Sequence, residues 1–473
     1  MSSSTTLDSK TASEVTVRDS EPTVAALVIV WSATDPARVG EVIVPRADGE
    51  PAVFGRGPRE GDEPRAELVR QRPGGLEATV PIDNPFLSRR HLAIAAESGG
   101  IAIENFGKKA LLLDGEAADS ELVVRIGETV EIPGQLMFLC VDRPRTLPQS
   151  HAKAGTFGEP DAHGIVGESP LAWELREQCA RVGALSAHVL LLGESGTGKE
   201  LAAQAIHAHS TRSAKKLVAR NAATFPPGLI DAELFGNLAS YPNAGMPERP
   251  GVIGEADGST LFLDEIAEMP QELQSHLLRV LDAGEYSRLG EAKRRTADLR
   301  VVAATNRGAD ALKHDLAARL ALRITLPSLN ARREDIPLIA RHLLRRHARK
   351  DAPIGARFLA GWDGTTGEPR LTPALVRALV GHKYTTNVRE LDSYLLRSLV
   401  ASRGSSVELP ESLASELVRA HKPRLAAQPY SAEQIQAALA KHDGVREKVW
   451  RELGMANRYV LKRLMKKYGI ADD

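Results

Sequence analysis

Three glycines and a lysine stand between an apolar run and a helical pattern in Gly193-Glu194-Ser195-Gly196-Thr197-Gly198-Lys199-Glu200. The apolar run is Val189–Leu192 and the helical pattern is Leu201–His209. Strand, glycine loop and helix in that order suit a polyphosphate. The glycines let backbone N–H groups turn toward phosphate oxygens, the helix start adds a favourable dipole, and Lys199 reaches the terminal phosphates. In the general form of such loops a Ser or Thr follows the lysine and holds magnesium; Glu200 stands there instead. A second group of residues fits the same chemistry. Thr260-Leu-Phe-Leu-Asp264-Glu265 is an apolar strand ending in two acids. Asp264 at the carboxyl end suits Mg2+, and Glu265 beside it suits polarising an attacking water. Two acids after a strand more often start a helix, but the order, loop first and acids later, favours ATP with Mg2+.

Such residues need a sheet behind them. From Ile165 to about Leu326, strands alternate with helical patterns, which argues for a parallel sheet covered by helices on both faces. The whole chain has 473 residues, too many for one ordinary domain. Residues 1–22 read as a disordered tail. Residues 23–143 hold short β-type runs, among them Ala25–Trp31, Ala52–Phe54, Ile101–Glu104 and Leu136–Val141, so a β-sandwich is expected. Residues 144–162 read as a linker, 163–330 as the α/β core, 331–420 as a helical unit, 421–430 as a second linker and 431–473 as a small all-α unit. The fold class expected is therefore multidomain: β-sandwich, α/β and all-α.

Composition narrows the function classes. The 61 basic and 61 acidic residues balance, so the chain as a whole is no general polyanion binder. Its two cysteines, Cys140 and Cys179, exclude a disulfide framework and suit a reducing cytosol. No apolar run approaches the ~18 residues of a membrane span, and the polar N-terminus does not read as a signal peptide. A cytoplasmic protein without membrane contact is expected.

The segment from Ile165 to Val418 resembles the AAA+ domain of bacterial enhancer-binding proteins, the activators of sigma-54 RNA polymerase. The loop with its final Glu is that family's own form. Further matches are Glu233-Leu-Phe-Gly236, Glu255-Ala-Asp-Gly258, Leu277-Leu-Arg-Val-Leu281, Arg300–Arg307, Arg332–Pro337 and Asn387-Val-Arg-Glu-Leu391. The resemblance implies an ATPase core with a helical lid, assembling into a hexameric ring with ATP between subunits. It implies phosphate binding by Gly193, Gly196, Gly198 and Lys199, magnesium at Asp264 and water activation by Glu265. Asn221 matches an asparagine that pairs with that glutamate. Thr305 and Asn306 match the first sensor of the γ-phosphate and Arg389 the second. Arg319 matches an arginine that reaches the neighbouring subunit's site.

Departures accompany the match. Lys313 stands where another interface arginine is usual, and Thr386 replaces a glycine before Asn387. Binding of ATP is expected, and turnover is left open. Between Phe235 and Pro250 the family places a Gly-Ala-Phe-Thr-Gly-Ala loop that touches sigma-54. Ser240-Tyr241-Pro242-Asn243-Ala244-Gly245 stands there, with Pro at the Phe position and Asn at the Thr position.

The β-rich front resembles a forkhead-associated (FHA) domain, through Gly55-Arg56 and Ser88-Arg89-Arg90-His91. The resemblance implies phosphothreonine binding by Arg56 and Ser88, with Arg89 adding charge and His91 bracing the loop, and input from a Ser/Thr kinase pathway. The family's Asn-Gly aligns with Lys109-Ala110 and is missing; Lys108 and Lys109 are expected to attract the phosphate instead. At the other end, Arg458, Lys462 and Lys466 recur at helical spacing, with Arg463 and Lys467 beside them. From Lys441 to Lys467 nine basic residues face three acids, in a chain of net zero. This suits a helix-turn-helix with Asn457, Arg458, Tyr459, Lys462, Arg463 and Lys466 toward DNA. It resembles the Fis-type end of enhancer-binding proteins, which implies dimeric binding to inverted-repeat sites. The resulting reading is a phosphothreonine-responsive, ATP-binding, DNA-binding regulator of the sigma-54 class; the alternative is a regulator or repressor that does not remodel sigma-54 polymerase.

Overall fold

The computed structural model describes residues 22–58, 61–225, 229–241, 243–417, 430–442, 444–453, 461–462, 464–465 and 468–470. The front of the chain folds into two antiparallel sheets. Its strands are β1 (Thr23–Ser32), β2 (Val42–Ile43), β3 (Ala52–Phe54), β4 (Val69–Arg72), β5 (Gly75–Ala78), β6 (Leu92–Glu97), β7 (Gly100–Asn105), β8 (Leu112–Leu113), β9 (Glu116–Ala117), β10 (Glu121–Arg125), β11 (Thr129–Ile132) and β12 (Leu136–Pro144). One sheet runs β5-β4-β2-β1-β12-β11-β8-β9 and the other β10-β7-β6-β3. Phe54 of β3 meets Phe138 of β12 edge-on, with ring centres 5.6 Å apart. The apolar runs of the sequence fall on the buried strands. The polar strands β4, β5 and β9 carry no apolar alternation. In β4 the buried residues are Gln71 and Arg72, which serve contacts with the rest of the chain.

After α1 (Pro170–Gly183) comes the parallel sheet. It contains β13 (Val189–Leu192), β14 (Val218–Asn221), β15 (Thr260–Asp264), β18 (Arg300–Thr305) and β19 (Leu322–Thr325), ordered β14-β15-β18-β13-β19. Period-2 alternation splits its apolar residues between two cores. Leu190, Leu261, Leu263, Val301 and Ala303 join one, with α3 (Ile230–Phe235), α4 (Gly251–Glu255), α5 (Gln271–Ala283) and α6 (His314–Arg319). Val189, Leu191, Phe262, Val302 and Ala304 join the other, with α1 and α2 (Lys199–Ala208). A small hairpin, β16 (Glu285–Tyr286) with β17 (Arg295–Thr296), follows α5.

The lid holds α7 (Ile336–Lys350), α8 (Ala352–Phe358), α9 (Pro373–Gly381), α10 (Val388–Ala401) and α11 (Glu411–Ala414). It is not helical throughout: β20 (Leu359–Ala360) and β21 (Glu368–Pro369) pair across a turn in which Gly361, Gly364 and Gly367 take positive φ. At the end of the chain, α12 (Ala432–Lys441) opens with a capping box between Ser431 and Gln434, and α13 (Arg446–Glu452) follows. Ile435, Ala438 and Val449 pack with Leu461 and Met465. Among the described residues, no helix is long and apolar enough to cross a membrane.

Candidate nucleotide site and peptide loops

In-register parallel strands bring their carboxyl ends to one edge of the sheet. Asn221 lies opposite Asp264 on β14 and β15, and Leu192 lies opposite Thr305 on β13 and β18. The glycine loop leaves β13 at this edge, which is where open α/β sheets place their ligands. Gly196 and Gly198 take φ of 77° and 99°, so the loop needs glycine at both. Lys199 begins α2 and is 7% exposed; its ammonium donates to the carbonyls of Gly193 at 2.9 Å and Glu194 at 3.3 Å. The Thr197 hydroxyl donates to Glu194 O at 2.9 Å and steadies the turn. A cation curled inside its own loop, with backbone N–H groups around it, fits a phosphate chain.

The two acids sit beside that loop. Glu265 holds an uncommon left-handed conformation, φ 52°, and its amide donates to Asp264 Oδ1 at 3.0 Å. Its carboxylate accepts from the Asn306 amide at 3.3 Å. Thr305 is fully buried; its carbonyl accepts from Gly193 N at 3.3 Å, and its hydroxyl oxygen accepts from the Arg307 amide at 3.0 Å. The Asn221 side chain is engaged elsewhere than at Glu265: its oxygen accepts from Ala223 N at 2.9 Å and caps a short turn. Glu200 is exposed on the first turn of α2. Among the described residues no group of three or more His, Cys, Asp or Glu gathers as a metal site.

The lid closes the loop from above. Arg389 donates to Ser195 Oγ at 2.6 Å. Asn387, absent from the sequence-predicted site, is fully buried with φ 51°. Its amide donates to Glu194 Oε2 at 2.9 Å and Ser195 O at 3.0 Å, and its oxygen accepts from Leu329 N at 2.7 Å. Glu390 holds this turn. Burial opposes its ionisation, but the amides of Thr386 and Thr385, His382 and the Tyr394 hydroxyl bring its carboxyl down to about 2. Arg389 is the second sensor that the family motif implies; Asn387 stands in the same motif but does not read as binding chemistry, because it acts on Ser195 across more than 190 positions. Arg319 pairs with Asp282 of its own chain, and Lys313 donates to Ser275 Oγ at 2.6 Å.

The segment between Phe235 and Pro250 lies against the β16–β17 hairpin. Leu238 N donates to Leu289 O, and Leu289 N to Gly236 O. The Tyr241 ring covers Gly290, where a Cβ would come within 2.6 Å of it. Arg288 pairs with Glu248, and Arg249 with Glu233. Pro242 lies outside the described residues.

In the front domain three loops converge. The Arg56 amide donates to Ser88 O at 2.9 Å, and the Ser88 amide to His91 Nδ1 at 3.0 Å. Burial holds His91 below its ordinary value, which keeps that nitrogen an acceptor. Phe106 N donates to His91 O at 2.8 Å, bringing the Lys108–Lys109 loop alongside. Ser88, Arg89, Lys108 and Lys109 are exposed and Arg56 half-buried. The organiser is a residue the sequence did not mark, Arg65. Its guanidinium donates to the carbonyls of Gly55, Arg56, Gly57 and Arg89, at 2.6 to 3.1 Å. Asn105 braces the neighbouring loop in a similar way, donating to Lys109 O at 2.8 Å and accepting from Gly107 N at 2.9 Å. At the C-terminus Lys462 is exposed; Asn457, Arg458, Tyr459, Arg463 and Lys466 lie outside the described residues.

Comparison with known proteins places the central part. Residues 165–329 match the sigma-54 interaction domain, and residues 330–429 the AAA+ ATPase lid domain. The transcriptional regulatory protein ZraR of Salmonella typhimurium is 35% identical over 314 residues, covering 64% of this chain and 68% of that one. The Nif-specific regulatory protein of Azotobacter vinelandii is 34% identical over 317 residues, covering 63% and 58%. A crystal structure of NtrX from Brucella abortus is similar at 30% identity, with TM-score 0.48, over 64% of this chain and 69% of that one. The chain belongs to the family of transcriptional regulators built on the sigma-54 interaction domain with its AAA+ lid.

Proposed function

We propose that this protein is an ATP-binding, DNA-binding transcription regulator whose front domain reads phosphothreonine. The observation that carries the nucleotide reading is the closed loop itself: Lys199 within it, Asp264 and Glu265 beside it, and Arg389 of the lid on Ser195. Bound ATP with Mg2+ supplies the phosphoanhydride chemistry. Lys199 and the loop amides would hold phosphate charge, Asp264 would hold the metal, and Glu265 would take the water's proton. Asn306, whose amide touches Glu265, positions that base. Lys199→Ala should abolish ATP binding by calorimetry, while Glu265→Gln should keep binding and lose turnover. Equal affinity in the wild type and Lys199→Ala refutes this.

The front domain's role rests on Arg56, Ser88 and Arg89 on converging loops, a guanidinium and hydroxyl set suited to phosphate. The DNA role rests on the basic C-terminal pattern, and ring assembly on Arg319 as a residue for the neighbouring subunit. Presence in the cytoplasm follows from a role on DNA.

A second reading concerns the output. Segment 240–245 lacks both the Phe and the Thr of the sigma-54 contact loop at their positions. Its Tyr241 lies on Gly290. These features favour a regulator that does not remodel sigma-54 polymerase by the usual grip. The assay is open-complex formation by purified sigma-54 polymerase on a target promoter with ATP. Robust ATP-dependent opening by the wild type defeats this reading. Opening gained only after restoring the six-residue loop supports it.

A further inference from the structure

The front domain is not hung from the ATPase by a tether. Residues of β1 and β12 share one buried apolar cluster with α7, α9 and α10 of the lid. Trp31 donates its indole N–H to Leu371 O at 2.8 Å, and Arg377 of α9 donates to Glu131 of β11 at 3.0 Å. Gly115 lies so close to Arg377 that a Cβ there would meet its Nε at 2.7 Å. The intervening segment is also packed: Phe157 is 9% exposed, with Arg70 4.6 Å above its ring.

Buried charge ties the front domain to Glu168, where core and lid join. Arg72 of β4 pairs with Glu168 at 2.8 Å, and Arg143 of β12, 1% exposed, donates to Glu168 O at 2.9 Å. The amides of Glu168 and Ser169 donate to Asp335 Oδ1, and the Ser169 hydroxyl to Oδ2, at the junction of core and lid. Glu334 beside it is buried as well. The front domain thus supplies the counterion of Glu168, the residue whose amide also binds Asp335 where core and lid join. Parting the two would strand buried charge, which a loosely attached domain's polar interface does not do.

The other end of the lid carries Asn387 and Arg389 on the glycine loop. The loop at Asn105–Ala110 runs on through Leu111 and β8 to the Asp114–Gly115 turn against Arg377. We propose that the β-domain and the lid move as one body over the nucleotide loop, so that a ligand on the β-domain loops and a nucleotide on the ATPase loop are linked through the lid. This rests on the nucleotide reading of Gly193–Glu200. Linkage of this kind is reciprocal.

The test uses the full chain with spin labels. Cys140 and Cys179 are buried. Glu121→Cys, Arg403→Cys and Glu272→Cys place exposed labels on β-domain, lid and core. On adding ADP, the lid–core and β-domain–core distances should shift together, while the β-domain–lid distance stays narrow and unchanged. A β-domain–lid distance that broadens or shifts, or a lid that stays still with ADP bound, overturns the proposal. ADP that fails to bind by calorimetry rejects the nucleotide reading instead. A nucleotide-free arm then decides the one-body part. Trp31→Phe and Arg377→Gln each remove one polar contact of the interface. Hydrogen exchange should show loss of protection in both β12 and α9, with β13 and β18 unchanged. Loss confined to the front domain overturns the proposal.

Discussion

Replacing Asn387 with alanine should unlatch the lid. The side chain is fully buried and makes three hydrogen bonds: to the Glu194 carboxylate, to Ser195 O and from Leu329 N. A net hydrogen bond contributes ~1 kcal/mol, and a buried group left without a partner costs about 1–3 kcal/mol. Leu329 N is the group most exposed to that cost, because Leu329 is itself 1% exposed. Glu194, at the rim of the loop, can turn to water. The loss should total about 3 kcal/mol. At roughly 2–4 °C per kcal/mol for a unit of this size, the apparent melting midpoint should fall by about 6–12 °C. Part of the loss falls on lid closure, so ADP affinity should drop as well, about tenfold for each 1.4 kcal/mol. Differential scanning calorimetry and titration calorimetry read the two effects. A midpoint within about 2 °C of wild type, with unchanged ADP affinity, would refute the latch.

Three further outcomes follow from particular residues. Burial lifts Glu334 to about 7 from its ordinary 4.5, so the folded chain keeps a proton that the unfolded chain releases between those values. Its contribution to stability is present below pH 4.5 and lost as pH rises through about 7, so Glu334→Gln should flatten that part of the stability–pH curve by about 3 kcal/mol; parallel curves for the two proteins would reject this. Arg65→Lys should weaken phosphothreonine-peptide binding about as much as Arg65→Ala, because one ammonium cannot span four carbonyls; rescue by lysine, read by fluorescence polarisation, would contradict it. Deleting 431–473 should abolish site-specific footprints, and Lys462→Ala should weaken binding by about 1–3 kcal/mol where it meets a base; footprints surviving the deletion would refute the assignment.

What was legible in the sequence was what short-range pattern encodes. The run Val189–Leu192, the glycine spacing to Lys199 and the acids after Leu263 are local, and strand, loop and helix formed where they predict. The buried β-runs of the front domain were legible for the same reason: alternation and apolar content act within a few residues. Polar strands such as β4 were not, because Gln71 and Arg72 are buried by contacts with Pro144, Arg145 and Glu168, far along the chain. The same holds for the residues that organise the sites. Arg65 looks like a solvated loop charge until four carbonyls close around it. Asn387 looks like a helix start until the lid folds over Glu194 and Ser195. Asn221, expected at Glu265, caps its own turn at Ala223 instead. Only the tertiary structure decided that the front domain and the lid share a core, since that core is assembled from Trp31, Leu338 and Val376, residues whose separation leaves no periodic trace. Hydrophobic period is a property of one element; the choice of which buried charges and apolar faces meet is a property of the packed whole, where a Glu168 without Arg72 would be too costly to tolerate.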